Sequence, residues 1–355
     1  MKSIKERNLP DVLLCADGTR VVSPEQWPRR RAEIDALLSD NLFGRLPDLP
    51  FTWRCKTESE GDESYQAGKS ILRVVRMDVT VGGKPFSWKF FLSLPKRETP
   101  VPAFLMLMFT RKLPADTVPV EEICDEGFGF VGFDYQDVTS DDSDFTNGLA
   151  ALFYPDGRRG EHDGGKIALW AWAASRLLDY LQTVPEIDSH RIYVTGHSRL
   201  GKSALWTAAR DERFAGVASI QSGCSGAALA RGKNGETVEK ITNVFPYWFA
   251  PAYAAFADRE AEMPFDQHDL LALAAPRRLL VTSAAADAWA DPDGEALSCA
   301  AVAPVYALWG LSAPAERADI PDSIALLDGQ AGYFRRPGTH CFSRDDWHAL
   351  FRFFR

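Results

Sequence analysis

The chain has 355 residues, 46% of them hydrophobic, and a formal net charge of −9. That size allows a large buried core, and the acidic balance argues against a nucleic-acid partner, because neutralising phosphates takes a basic face and none is present. No apolar run approaches the roughly 18 residues of a membrane span. The start, Met1-Lys2-Ser3-Ile4-Lys5-Glu6-Arg7-Asn8, lacks an apolar signal region, so the expectation is a cytoplasmic protein with no membrane partner, or a secreted or periplasmic one if a leader has been removed.

Residues 1–50 open with loop chemistry, Leu9-Pro10-Asp11 and Asp17-Gly18-Thr19. A helix is predicted next, with Ser23 as N-cap, Pro24 in the first helical position and Trp27, Ile34, Leu37 and Leu38 as its apolar stripe. From about Tyr65 to Leu107 the period becomes that of strands. Ile71 to Val81 turns at Gly82-Gly83 into Phe86 to Leu92, a hairpin, and Val101 to Phe109 is a near-continuous apolar run suited to a strand buried on both faces.

Strands and helices then alternate: a strand at Gly129 to Phe133, an amphipathic helix at Ile167 to Leu181, strands at Arg191 to Thr195, Ala215 to Ile220 and Leu279 to Ser283, and helices at Phe265 to Ala274 and Asp345 to Phe354. Antiparallel strands first and βα alternation afterwards predict an α/β fold with a mixed, mostly parallel sheet covered by helices on both faces. One domain over 1–355 is expected, with the helix and antiparallel strands of 1–95 integrated in it.

Six scattered cysteines, Cys15, Cys55, Cys124, Cys224, Cys299 and Cys341, form no CxxC pair. They fit reduced thiols, and with no HxxxH or HExxH spacing neither a metal site nor a cofactor is expected. The chemistry concentrates instead in Tyr193-Val194-Thr195-Gly196-His197-Ser198-Arg199-Leu200-Gly201-Lys202, followed by the helical stretch Ser203 to Arg210. An apolar strand running into a glycine-flanked serine and then a helix is the setting of a nucleophile elbow, although the second glycine falls one place late against G-x-S-x-G.

A serine hydroxyl needs a general base, and the base an orienting acid; in such sheets the chain order is Ser, Asp or Glu, then His. His340 sits in the turn-rich loop Arg336-Pro337-Gly338-Thr339-His340-Cys341, before the last helix. For the acid the chain offers Asp287, just past the Leu279 to Ser283 strand, and Asp291 four residues on; Asp287 is nearer the strand end. Arg199 and Lys202 stand in the first turn of the elbow helix, where the helix dipole disfavours cations. A substrate developing an oxyanion beside Ser198 gives them a reason to be there.

Gly196-His197-Ser198-Arg199-Leu200-Gly201-Lys202 resembles the G-x-S-R-x-G-K signature of the glucuronoyl esterases, carbohydrate esterase family 15, within the α/β-hydrolase fold. The likeness continues through Ser222 to Ala228, Gly235-Glu236, Phe245 to Phe249, Phe265 to His268, Asp287 to Asp291 and Gly338-Thr339-His340. Bacterial relatives of this kind also carry the looser label acetyl xylan esterase. The resemblance implies Ser198 as nucleophile, His340 as base and Arg199 in the oxyanion hole. It further implies that Lys202 and Glu236 hold ring hydroxyls of a uronate and that Trp289 is an apolar wall against the sugar. Many members place the acid as a glutamate after the elbow helix; Gln221 stands there in this chain and cannot ionise, which moves the acid to Asp287. Where fungal members have a disulfide partner for the cysteine beside the catalytic histidine, this chain has His197, leaving Cys341 unpaired.

The function expected is that of a serine esterase cleaving glucuronoyl or 4-O-methyl-glucuronoyl esters of xylan-derived or lignin–carbohydrate substrates through an acyl-enzyme. An acetyl esterase acting on acetylated glycans is the nearest rival, and a carbohydrate-binding homologue without catalysis is a third reading.

Overall fold

The backbone groups of ten strands are paired in a single sheet, ordered β1-β2-β3-β5-β4-β6-β7-β8-β10-β9. This is a computed structural model describing residues 2–62 and 64–355; Met1 and Glu63 lie outside the described residues. The strands are β1 (Phe51–Glu60), β2 (Ser70–Val81), β3 (Lys84–Pro95), β4 (Val101–Met108), β5 (Gly129–Asp134), β6 (Ile187–His197), β7 (Gly216–Ile220), β8 (Arg278–Ala284), β9 (Ile324–Leu326) and β10 (Ala331–Arg336). Strands β5, β4, β6, β7, β8 and β10 run parallel, while β1 to β3 and β9 add antiparallel pairs at the two ends.

Side-chain alternation explains how one sheet serves two cores. Ala103, Leu105 and Leu107 of β4 face the larger core with the helices Lys166–Leu181 and Arg199–Arg210, whereas Phe104, Met106 and Met108 face a second core with Trp347, Leu350, Phe351 and Phe354 of the last helix. A strand with both faces covered reads as a continuous apolar run, as β4 does. The predicted hairpin pairs Val81 with Lys84, and its two loop residues, Gly82 (φ 55°) and Gly83 (φ 81°), take the left-handed conformations a two-residue turn requires.

The structure corrects several local expectations. Ser23 makes no side-chain cap; the chain enters the helix Trp27–Leu38 through a 3-10 turn at Pro24–Gln26. The helix expected at Phe265 to Ala274 spans only Gln267–Ala272, capped by Asp266, while the elbow helix Arg199–Arg210 holds Arg199 and Lys202 in its first turn as expected. Strands β1, β9 and β10 were not anticipated. Among the described residues no helix is long and apolar enough to cross a membrane.

Candidate active site

The C-terminal ends of β6, β7, β8 and β10 converge, as ligand sites in α/β sheets do. Ser198 follows β6 as the N-cap of the elbow helix, with φ 58° and ψ −128°. A non-glycine residue in that region is strained, which suits a side chain held up out of a sharp turn. The turn closes because Gly196 has no Cβ: one built there would lie 2.3 Å from the Leu200 carbonyl oxygen. Gly201 fills the role of the second glycine despite its late position, since its Cβ would come within 3.0 Å of the Gly196 oxygen and of Ser222 Cβ. The Ser198 N–H donates to Ile220 O at 2.9 Å, tying the elbow to β7.

His340 and Asp287 meet across two loops. Nδ1 of the exposed His340 is 2.6 Å from Oδ2 of the buried Asp287. Burial pushes the Asp287 carboxyl up, but the hydrogen bond and charge of His340 outweigh it and hold the carboxyl below the usual aspartate value. Asp291, the other acid in this segment, faces elsewhere: it caps the helix Pro292–Ala301 through Gly294 N and accepts from Asn234 N. The loop of His340 is supported from inside by Arg336, which donates to the buried Asp346 at 2.9 Å and to the carbonyls of Pro337, Thr339 and Cys341.

Ser198, Arg199, Lys202, Glu236, Asp287, Trp289 and His340 all line one cleft of about 350 Å³. Lys202 is buried and donates to Ser222 O; burial pulls its pKa down, with Glu236 opposing. Glu236 is brought in by a close approach of two loops. Its N–H donates to Trp289 O at 3.1 Å, and the preceding Gly235 (φ 74°) leaves no room for a Cβ, which would meet the Ala288 and Trp289 carbonyl oxygens at 2.4 and 2.5 Å. Trp289 stands at the rim, 55% exposed, with Lys240 Nζ 5.2 Å from its ring centre. Beneath the cleft wall the fully buried Glu295, its carboxyl pushed up to about 7 by burial, accepts from Gly223 N and Ser283 Oγ.

Sequence reasoning missed the support of Arg199. Asp141, with a side chain only 8% exposed, forms an ion pair with the Arg199 guanidinium and accepts from Trp248 Nε1 at 2.6 Å and Tyr135 Oη at 2.9 Å. The guanidinium also lies 4.8 Å from the Trp248 ring centre, and Trp248 stacks on Phe245 at 3.9 Å. The loop carrying Asp141 is pinned by Lys166, which is fully buried and bonds Thr139 Oγ1 and Asp144 O; burial lowers its pKa to about 8. In the sequence Asp141-Asp142-Ser143-Asp144 looks like a solvated acidic loop, and only the buried Lys166 in a following helix distinguishes it.

His197 lies against the proposed base. Its ring is 4.4 Å from that of His340, its Nε2 is shut off from solvent without a partner, and desolvation with the neighbouring His340 pushes its pKa down to about 3. His197 is therefore neutral beside His340. All six cysteines are free thiols.

A family model described as "Glucuronyl esterase, fungi" matches residues 77–310. The chain belongs to the glucuronoyl esterase family. This esterase, a carboxylic ester hydrolase by that membership, is 32% identical to Carbohydrate esterase MZ0003 from an unknown prokaryotic organism, over 99% of this chain and 89% of the relative. It is 29% identical to the 4-O-methyl-glucuronoyl methylesterase of Thermothelomyces thermophilus, over 87% of this chain and 74% of that one. Among solved structures, the glucuronoyl esterase from Solibacter usitatus superposes with a TM-score of 0.87 at 31% identity, covering 98% of this chain and 97% of the other. A mutant glucuronoyl esterase from Sporotrichum thermophile, in complex with methyl 4-O-methyl-β-D-glucopyranuronate, superposes with a TM-score of 0.68 at 26% identity, covering 85% and 78%. These neighbours share the α/β-hydrolase architecture expected for the esterase.

Proposed function

We propose that the cleft hydrolyses glucuronoyl or 4-O-methyl-glucuronoyl esters through an acyl-enzyme on Ser198. Ser198 Oγ attacks the ester carbonyl while His340 takes its proton, and Asp287 holds the imidazole by Nδ1 and stabilises the imidazolium that forms. The oxyanion rests against Arg199, whose backbone N–H opens the elbow helix and whose guanidinium is held by Asp141. The alcohol leaves with the proton from His340. Water, activated by the same base, then releases the uronic acid.

One observation carries the substrate side of this reading: the buried Lys202 shares the cleft with the nucleophile, and Glu236 and Trp289 line the same space. A buried ammonium is costly unless something satisfies its donors. Lys202 has one backbone carbonyl, and hydroxyls of a sugar ring supply further acceptors. An acetyl group has no such atoms. The relatives named for 4-O-methyl-glucuronoyl esters, and the neighbour holding a methyl uronate, support the same substrate class.

Lys202→Met keeps the buried stem and removes the donors. It is expected to lower kcat/KM on benzyl glucuronate by about 10- to 100-fold, the worth of one hydrogen bond to a charged group. On p-nitrophenyl acetate the change should stay within about threefold. Equal losses on both substrates would remove Lys202 from uronate binding and favour an acetyl esterase.

A further inference from the structure

Gln221 stands just beyond the tip of β7, 1% exposed and in a left-handed conformation (φ 47°). Its Nε2 donates to Cys341 O at 2.9 Å, and its Oε1 accepts from Cys341 N at 2.9 Å. Both polar ends of the amide thus engage the backbone of the residue that follows His340, and the side chain also interacts with His197. Its own N–H donates to Thr282 O on β8, and its predecessor, Ile220, accepts from the Ser198 N–H. Gln221 therefore joins, within one residue, the strand that fixes the nucleophile's backbone to the loop that carries the base.

The other backbone ties on this loop come from the ends of β8 and β10. Ala286 N donates to Gly338 O, and Arg336 reaches Thr339 O and Cys341 O. Among the described residues only Gln221 bridges β7 to Cys341. His340 itself is exposed; among the described residues its side chain hydrogen-bonds to Asp287 and its ring lies against His197, so the backbone tie at 341 contributes to where the ring stands relative to Ser198. A near-attack geometry of this kind is sensitive: a misplacement of about 1 Å can cost on the order of 100-fold in rate.

We propose that Gln221 is a positioning residue that sets the Ser198–His340 geometry through its two-bond clamp on Cys341. It touches neither the His340 imidazole through a hydrogen bond nor the proton in flight. A neutral amide fits the clamp, because it donates to a carbonyl and accepts from an N–H together, which an ionised carboxylate cannot do. A carboxylate of the same shape could accept from Cys341 N, but its second oxygen would face Cys341 O with no proton between them.

The proposal rests on the reading of Ser198 and His340 as nucleophile and base. Gln221→Ala and Gln221→Glu, assayed at pH 8 on benzyl glucuronate, are each expected to lower kcat by about 10- to 100-fold with KM within about threefold. Labelling of Ser198 by a fluorophosphonate should slow in parallel, because that reaction reports the nucleophile–base pair without uronate binding. If Gln221→Ala fails to fold, Gln221→Glu, identical in shape, decides the matter. Wild-type kcat or wild-type labelling in Gln221→Glu overturns the proposal, as does a gain in kcat, which would mean a carboxylate serves better there. Ser198→Ala separates the two failures: full turnover in that variant sinks the nucleophile reading, whereas an inactive Ser198→Ala beside normal Gln221 variants sinks only the clamp.

Discussion

Ser198→Ala is expected to lower kcat on benzyl glucuronate by about 10⁵-fold while leaving KM within a few-fold, the pattern seen when a nucleophile is removed from an intact site. The elbow is the reason for so large an effect. Ser198 occupies a strained backbone conformation that Gly196 and Gly201 permit by letting the strand and helix close on one another. Strain of this kind persists only where the surroundings over-determine it. Alanine tolerates the same backbone as serine, so the variant should fold with an unchanged thermal midpoint. Release of glucuronic acid followed by chromatography gives the rate, and fluorophosphonate labelling gives an independent reading. A variant within tenfold of wild type would remove Ser198 as the nucleophile.

The second large effect belongs to Asp287→Asn, expected to reduce kcat by about 10³- to 10⁴-fold, since an amide neither stabilises the imidazolium nor secures the tautomer the base needs. The alternatives nearby do not substitute. Asp291 is committed to capping the helix Pro292–Ala301, and Gln221 cannot ionise. The pH behaviour follows from the direction of the Asp287 shift. Its folded pKa lies below the ordinary value, so the stabilisation from its ionised carboxyl is present above the usual carboxylate range and is lost as pH falls through the lower folded value. Asp287 is therefore ionised across the neutral range, and the loss in Asp287→Asn should be present throughout it. A loss smaller than tenfold at neutral pH would place the orienting acid elsewhere.

The legible parts of the fold were those in which one local rule acted alone. The apolar run of β4, the two-glycine hairpin and the alternation from β5 onward are periodicity and turn chemistry, and the parallel sheet followed from them. Strand β1 carries no apolar run, since Arg54, Lys56, Glu58 and Glu60 alternate along it. It is an edge strand paired only with β2, so its pattern answers to solvent and to cross-strand ion pairs such as Arg54 with Asp78. Strand β10 ends in Arg335 and Arg336, which are buried where Asp293 and Asp346 meet them. The site shows the same division. The elbow and the order of Ser198, Asp287 and His340 lie in the chain itself. The pairing of Asp141 with Arg199, across 58 positions, and the clamp of Gln221 on Cys341, across 120, exist only after folding brings the loops together.

The placement of the sugar acid is the center of the account, and a crystal structure of Ser198→Ala with methyl 4-O-methyl-glucuronate bound measures it directly. The ester carbonyl should stand over residue 198 with its oxygen toward Arg199, the ring hydroxyls on Lys202 and Glu236, and Trp289 along the ring. A uronate bound in this cleft with Lys202 and Glu236 untouched, or bound outside it, would contradict the account.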